Sequence, residues 1–375
     1  LVGQRDMIGG IRVEGYVGQA HGFIDALQGR VIFVIVAGST RTSTIPGISV
    51  AGPNPEATML TPILDVEYLL AGKPITLNVV PVTPEGLPTP AVITRALVYR
   101  LGLPVLVVDA GCSSPPRVPH VALPSRRMGG RIDVEPALPR GVAKQLYMEA
   151  RLLGATLAHG HDALVVGETI PGGTTVAAAV LEALGYRALG RVSSSSVQNP
   201  HGLRGQVVRA ALARLSGSED VFGVVEAVGD PVHVSLAGLA AGAVEAGAKV
   251  VLAGGTQMVS VLAILKAVEP KVLDQVAIAT TPWIIRDKSS DISGLVHDVA
   301  PAVPVIAADF SLSGSKYPGL RTYEEGYVKE GVGAGGSLVL AAVRGMNIEE
   351  MVTAIEEEYE RIMSLAGAER DRDRS

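Results

Sequence analysis

The sequence predicts an α/β protein: a three-layer αβα arrangement around a mostly parallel, Rossmann-like sheet, with a smaller helical part contributed by the two ends of the chain. Three observations predict it. Short β-branched runs alternate with Ala/Leu-rich stretches of helical length, the pattern of successive β-α-β units. Most of the short runs are apolar at every position, as strands covered on both faces must be. The composition supplies the core: 47% of the 375 residues are hydrophobic and 18% are charged, with a mean hydropathy of +0.34.

Strands are predicted at Val31–Ala37, Thr76–Val82, Pro104–Ala110, Ala163–Gly167, Phe222–Gly229, Lys249–Gly254, Val276–Thr280 and Val303–Ala308. A further strand is read at Arg187–Val192. Between them, helices are predicted at Arg140–Leu157, Thr174–Leu184, Pro231–Ala246 and Thr256–Val268. The helix from Thr174 stops at Gly185, which takes the left-handed C′ position without a side-chain clash. A last helix near Asn347–Leu365 opens on Asn347 with Glu350 three residues on, a capping-box variant. Its Met351, Ile355 and Ile362 share one side, a stripe suited to docking on the main domain or on a partner subunit. The alternating charges of Glu369–Ser375 predict a disordered tail. The main α/β domain is expected over residues 20–345, with 1–19 and 346–375 forming the smaller discontinuous part. Gly38–Pro62 and Cys112–Pro139 show no periodicity. Loops of that length inside a domain are often functional.

Composition removes several classes of function. The net charge is −5 and aromatics are 4%, so neither a basic surface nor stacking platforms argue for nucleic acid. Cys112 is the single cysteine, which excludes an internal disulfide and a multi-cysteine metal site and points to a reducing, cytoplasmic setting. The longest apolar runs fall far short of a membrane span. Arg5 and Asp6 interrupt the start, which does not read as a signal peptide.

Chemistry is concentrated in glycine loops. Val165–Thr175 runs strand, Gly167-Glu168, then Gly172-Gly173-Thr174-Thr175 into a helix. Converging backbone N–H groups at a helix N-terminus suit a phosphate. For a single such loop, a tight turn capped by Thr is the better explanation. It is neither a Walker loop, lacking the Lys, nor a G-x-G-x-x-G fingerprint. A second loop, Lys329-Glu330-Gly331-Val332-Gly333-Ala334-Gly335-Gly336-Ser337, precedes a helix at Leu338–Arg344. A third, Ala253-Gly254-Gly255-Thr256-Gln257-Met258, follows a strand. Three loops at strand-to-helix junctions fit a ligand bound beyond the carboxyl ends of a parallel sheet. Glu168 and Glu330 lie beside the glycines, where a desolvated carboxylate would have a raised pKa and accept protons near neutrality. A Glu turned to solvent explains the spacing as well, and for Glu168 so does an N-cap or an Arg ion pair.

Other candidates are weaker. His159 and His161 lack a third ligand and read as a solvated turn, so no metal is expected. Cys112 has no base nearby in sequence and reads as structural. Ser193–Ser196 has no Gly-x-Ser-x-Gly setting, yet its hydroxyls could line the same cleft. Arg126, Arg127 and Arg131 could meet an anion, although a surface role is commoner.

Taken together, these residues resemble a known family. Gly167-Glu168 with Gly172-Gly173-Thr174-Thr175 is similar to the glycine-threonine loop of nicotinate-nucleotide:dimethylbenzimidazole phosphoribosyltransferases, and Glu330-Gly331-Val332-Gly333-Ala334 to their Glu-Gly-x-Gly-Ala loop. Ser193–Ser196, Asn199-Pro200 and Gly202-Leu203-Arg204 resemble the segment with a phosphate-contacting basic residue, and Ala253–Met258 follows in the family's order. The likeness runs collinearly from about Val105 to Ala342 and is nearest the archaeal branch. It implies transfer of a phosphoribosyl group from nicotinate mononucleotide to a benzimidazole-type base. The products are α-ribazole 5′-phosphate, for the cobamide lower ligand, and nicotinate.

The resemblance implies Glu330 as catalytic base and Glu168 as a second carboxylate orienting the base or ribose, or stabilising charge at C1′. Gly172, Gly173, Thr174, Thr175, Ser194, Arg204, Gly254, Gly255, Gly331 and Gly333 would hold the nucleotide and its phosphate. It implies small-molecule substrates, no cofactor and a homodimer. Pro171-Gly172-Gly173 stands where bacterial members carry Gly-x-Gly-Asn, Arg204 where a Lys is usual, and Ala37–Arg41 where they carry Ala-Gly-Asp-His-Gly. The rival readings are a nucleotide-binding α/β protein without transferase activity and a nucleotide-dependent oxidoreductase. The second would need a dinucleotide fingerprint that is missing.

Overall fold

The computed structural model describes residues 5–8, 10–14, 17–83 and 86–372. In chain order the elements are β1 (Arg5–Ile8), β2 (Ile11–Glu14), α1 (Val17–Gln28), β3 (Val31–Gly38), α2 (Pro55–Ala71), α3 (Ala91–Arg100), β4 (Val105–Gly111) and β5 (Val121–Ala122). Then follow α4 (Val142–Ala158), β6 (Ala163–Thr169), α5 (Gly173–Ala183), α6 (His201–Leu212), α7 (Val221–Val228), α8 (Pro231–Glu245), β7 (Lys249–Ala253) and α9 (Met258–Val268). The last third contains β8 (Val276–Thr280), α10 (Pro282–Arg286), α11 (Ile292–Val299), β9 (Val305–Ala308), α12 (Pro318–Arg321), α13 (Ala334–Val343) and α14 (Ile348–Arg372).

The strands form one sheet in the order β1-β2-β9-β8-β7-β6-β3-β4-β5. From β9 to β5 every pairing is parallel, while β2 joins β9 and β1 joins β2 antiparallel. Period-two alternation divides each strand between two cores. From β3, Ile32, Val34 and Val36 face a layer of α4, α5, α7, α8, α9 and α11. Val31, Phe33, Ile35 and Ala37 face α1, α2, α3, α13 and α14. This is the three-layer αβα arrangement expected. The chain leaves β3 toward β4 on one side and returns at β6 to run toward β9 on the other. The sheet therefore has its topological switch point at the carboxyl ends of β3 and β6, where such folds open a ligand crevice.

Three expected strands are absent, each for a local reason. Thr76–Val82 is irregular: Glu67 accepts from the amides of Ile75 and Thr76 (2.7 and 2.8 Å), and Pro81 offers none. Phe222–Gly229 is the helix α7, capped by Asp220 on Gly223 N, with Val224, Val225 and Val228 buried at helical spacing. A short valine-rich run cannot choose between the two by periodicity alone. Arg187–Val192 is a turn, because Glu182 captures the amides of Ala188 and Leu189. Helices α2, α3 and α6 were not anticipated. The first begins inside the supposed loop Gly38–Pro62, with Asn54 capping Ala57 N and Pro55 at N1.

The terminal helix carries its capping box, Glu350 N to Asn347 Oδ1 (3.0 Å) and Asn347 N to Glu350 Oε2 (2.9 Å). It buries Met351, Ile355 and Ile362 and packs against α3. It also continues to Arg372, into the stretch expected as a disordered tail, and the rest of that stretch lies outside the described residues. No helix among the described residues is long and apolar enough to cross a membrane.

Candidate active site

The glycine loops meet at the carboxyl ends of β6, β7 and β8. Glu168 is the penultimate residue of β6 and is buried. Its Oε1 accepts from Gln257 Nε2 (2.7 Å), so the loop after β7 reaches the first loop through a side chain. Glu330 precedes α13. Its Oε1 accepts from the amides of Gly335 (3.0 Å) and Gly331 (3.2 Å). Its Oε2 accepts from Thr281 N (2.9 Å), just beyond β8, and more weakly from Thr280 Oγ1 (3.4 Å). Glycine is required for this approach. A methyl group on Gly335 would overlap the Thr280 backbone and come within 2.6 Å of Glu330 Oε2.

Opposing effects set the charge of Glu330. Removal from water favours the neutral acid, three backbone amides favour the carboxylate, and the charge of Glu168 works against it. Desolvation prevails and pushes Glu330 up to about 7. Burial also raises Glu168, with Gln257 and the charge of His233 pulling the other way. His233, buried in the first turn of α8, has Nδ1 2.6 Å from Asp230 Oδ2, and that carboxylate outweighs the desolvation of the imidazole. A further buried carboxylate, Asp65 on α2, accepts from Thr169 beside Glu168 (2.8 Å) and from Thr89 (2.9 Å). Desolvation raises it to about 6.

The backbone around Glu330 is unusual. Val328, Lys329 and Val332 have φ of 59°, 32° and 52°, a region that costs a β-branched residue most. Contacts from other segments fix it, among them Val328 N to Ser195 O (2.8 Å), Val332 N to Glu168 O (2.9 Å), Thr94 Oγ1 to Val332 O (2.8 Å), Thr281 Oγ1 to Lys329 O, and Lys329 Nζ to Asp287 Oδ2 (2.9 Å). Strain of this kind persists only where the surroundings over-determine it, and it clusters at functional sites.

On the other side lie Gly172, Gly173, Thr174 and Thr175. Gly172 is the left-handed N-cap of α5 (φ 78°), and a Cβ there would press on Ser43 in the loop after β3. Thr174 keeps partial exposure while Thr175 is buried, its hydroxyl accepting from Arg204 Nε (3.3 Å). Arg204 is buried, donating to the carbonyls of Val192 (3.0 Å) and Ser193 (3.1 Å). Among the described residues no carboxylate lies within ion-pair distance of it, and burial lowers it to about 10. Ser194 donates to Asn199 Oδ1 (2.7 Å), and Ser193 N donates to Thr256 Oγ1 (2.9 Å). Gly254 and Gly255 are buried, and Gly254 N donates to Ala279 O. Gly331 and Gly333 are both left-handed, and Gly333 caps α13.

The sequence-predicted residues thus converge, with Gly172, Thr174, Ser194, Gln257, Glu330 and Gly331 keeping partial exposure in front of a buried layer of Glu168, Thr175, Arg204, Thr256 and Lys329. The roles of Lys329, Asp287, Thr281, Asp65 and the Asp230–His233 pair were not read from sequence. Only Thr281 had a signal, its place directly after a strand. Arg126 pairs with Asp109 (2.6 Å) and Arg131 with Asp133 (2.9 Å), so both are occupied elsewhere. Cys112 is buried, and burial raises its thiol.

A family model described as phosphoribosyltransferase matches residues 90–281. The chain is 59% identical over 342 residues to a UPF0284 protein of Aeropyrum pernix, covering 91% of this chain and 95% of that one. The chain belongs to this phosphoribosyltransferase family. A UPF0284 protein of Sulfolobus acidocaldarius is 43% identical, covering 90% and 97%. Among solved structures, the fold matches nicotinate-nucleotide-dimethylbenzimidazole phosphoribosyltransferase of Thermus thermophilus with a TM-score of 0.60 and 19% identity, covering 91% of each chain. A CobT structure from the same organism matches at 0.59. At that identity the likeness establishes a shared fold.

Proposed function

We propose that this protein transfers the phosphoribosyl group of nicotinate mononucleotide to a benzimidazole-type base, giving α-ribazole 5′-phosphate and nicotinate. The observation that carries the reading is the placing of the Glu330 carboxylate where the three glycine loops meet, among the amides of Thr281, Gly331 and Gly335, with burial raising it to about 7. A base of that pKa is about half ionised at neutrality and can take up a proton there.

The reaction asks for one such group. The nicotinate nitrogen is cationic while bonded to C1′, so it takes the bonding electron pair and leaves as a neutral ring without an acid. The attacking benzimidazole nitrogen forms the new bond to C1′, and the proton on its other nitrogen passes to Glu330. Glu168 faces the positive charge that develops at the sugar. Arg204 supports a dianionic 5′-phosphate near Thr174, Thr175 and Ser194: a guanidinium buried without a carboxylate is costly, and a bound anion would supply the missing charge. Backbone amides at the start of α5 add to that site.

Incubating the purified protein with nicotinate mononucleotide and a panel of benzimidazoles, with adenine included, tests the reading. Release of nicotinate together with a ribazole phosphate supports it. Absence of product with every base refutes it and leaves nucleotide binding without turnover as the alternative.

A further inference from the structure

The ammonium of Lys329 is buried one residue before Glu330, on backbone with φ 32°. Nothing local requires a charge there. Burying an ion pair costs desolvation, and apolar side chains of similar volume commonly replace such pairs without loss of stability. Its contacts lead away from its own loop. Nζ lies 2.9 Å from Asp287 Oδ2 and 3.4 Å from Asn199 Oδ1. The same Asp287 oxygen accepts from Ser193 Oγ (2.8 Å) and Asn199 Nδ2 (3.1 Å), while its other oxygen accepts from Ser289 N and Oγ. Ser194 donates to Asn199 Oδ1, and Arg204 holds the carbonyl of Ser193. The Ser193–Asn199 loop is therefore tied to the base loop through one ion pair, with Val328 N to Ser195 O as a parallel strut.

We infer that Lys329 and Asp287 are positioning residues: their ion pair holds the left-handed Val328–Val332 backbone so that Glu330 faces the crevice, and it makes that placement respond to an anion bound at the Ser193–Asn199 loop. The inference rests on the proposed function only for the name of the anion, a ribose 5′-phosphate. The coupling itself concerns any phosphate held at Ser194, Asn199 and Arg204. The physical basis is that the strained loop is held by non-covalent contacts from other segments, and those of Val328 N and Lys329 Nζ end on the Ser193–Asn199 segment or on Asp287. An anion that orders the segment also orders the loop.

The test uses Lys329→Met, Asp287→Asn and the double variant; the carboxamide keeps polar atoms beside Ser193, Asn199 and Ser289 while the charge is removed. Each single change leaves a buried charge unpaired, so loss of folding in either would not discriminate. The double variant removes both charges and is expected to fold with a denaturation midpoint near that of the wild type. Amide hydrogen exchange over residues 328–336 is then followed with and without inorganic phosphate. In the wild type, phosphate is expected to slow exchange of the Gly331, Val332 and Gly335 amides at least tenfold. In the double variant these amides exchange at least tenfold faster and phosphate no longer slows them, while β6 and β7 are unchanged. Turnover with nicotinate mononucleotide is expected to lose at least a hundredfold in kcat, with KM changed less than fivefold.

Wild-type-like exchange, or kcat within a few-fold of wild type in the double variant, overturns the coupling. A wild-type protein that shows phosphate-dependent protection yet forms no product refutes the transferase reading and leaves the coupling standing.

Discussion

Replacing Glu330 with Gln exchanges one oxygen for an NH2 at almost constant volume. The carboxylate serves donors on both sides, Thr281 N on one and Gly331 N and Gly335 N on the other. A carboxamide has one oxygen, so its NH2 must face an N–H on one side, and an unmatched buried donor costs about 1–3 kcal/mol. The missing charge acts in the opposite direction. Glu330 is raised from 4.5 to about 7, so its folded-state contribution is fully present below about 4.5 and is lost as pH rises through 7. The shift corresponds to roughly 3 kcal/mol against the ionised folded state. The two effects nearly cancel at pH 8. Denaturant midpoints of wild type and Glu330→Gln should accordingly fall close together at pH 8, with the variant relatively weaker at pH 5. Activity should not cancel. Loss of a general base removes about 10²–10⁴ in kcat, roughly 3–5 kcal/mol of barrier. Binding of nicotinate mononucleotide, followed through Trp283, the chain's one tryptophan and two residues beyond Thr281, should stay within a few-fold. The wild-type rate should rise with pH along a limb centred near 7. A variant retaining kcat within tenfold of wild type would show that the carboxylate only braces the start of α13.

Three further outcomes follow from the same geometry. Glu168→Gln removes a charge that raises Glu330, so the acidic limb of the rate profile should move below 7; a limb that stays in place rules out electrostatic contact between the two. Phosphate at about 100 times its Kd should stabilise the wild type by roughly 2.7 kcal/mol in denaturation and leave Arg204→Met unstabilised, and equal stabilisation would remove Arg204 from the anion site. Gly335→Ala should cost about 1–3 kcal/mol in denaturation and abolish turnover, since its methyl meets the Thr280 backbone and the Glu330 carboxylate.

The sheet was legible because its central strands are apolar on both faces, so β3, β4, β6, β7, β8 and β9 stand out as runs bounded by glycine or polar turns. The edge was not. β1 and β2 are four residues each, and their pairing depends on β9 rather than on their own pattern. Helix α7 was misread because its valines satisfy both periods, and Thr76–Val82 because a distant carboxylate, Glu67, takes amides that a neighbouring strand would need. At the site, glycine spacing located the loops, and the carboxylates beside them could be named. Lys329, Asp287 and Asp65 act across 42 residues or more of chain, as Lys329–Asp287 and Asp65–Thr169 do, and no local pattern records such pairings.

The distribution of buried charge then argues for one orientation of substrate. Arg204, which has no carboxylate beside it among the described residues, lies by the Ser193–Asn199 loop and α5, whereas Glu330 and Asp65 lie toward α13 and α2, and Glu168 is held by Gln257 at the start of α9. Nicotinate mononucleotide carries the matching pattern, a phosphate at one end and a cationic ring at the other. Bound with its phosphate at Arg204, it would present C1′ and the ring nitrogen to the carboxylates. If the phosphate fixes the sugar, its loss should damage positioning as well as affinity, because binding energy remote from the reacting bond is used to align it. The corresponding nicotinate riboside should therefore lose kcat at saturation by at least tenfold, and not merely show a higher KM. If saturating riboside reached the kcat of the nucleotide, the cationic side of the crevice would serve capture alone, and alignment at Glu330 would have to come from the carboxylate side.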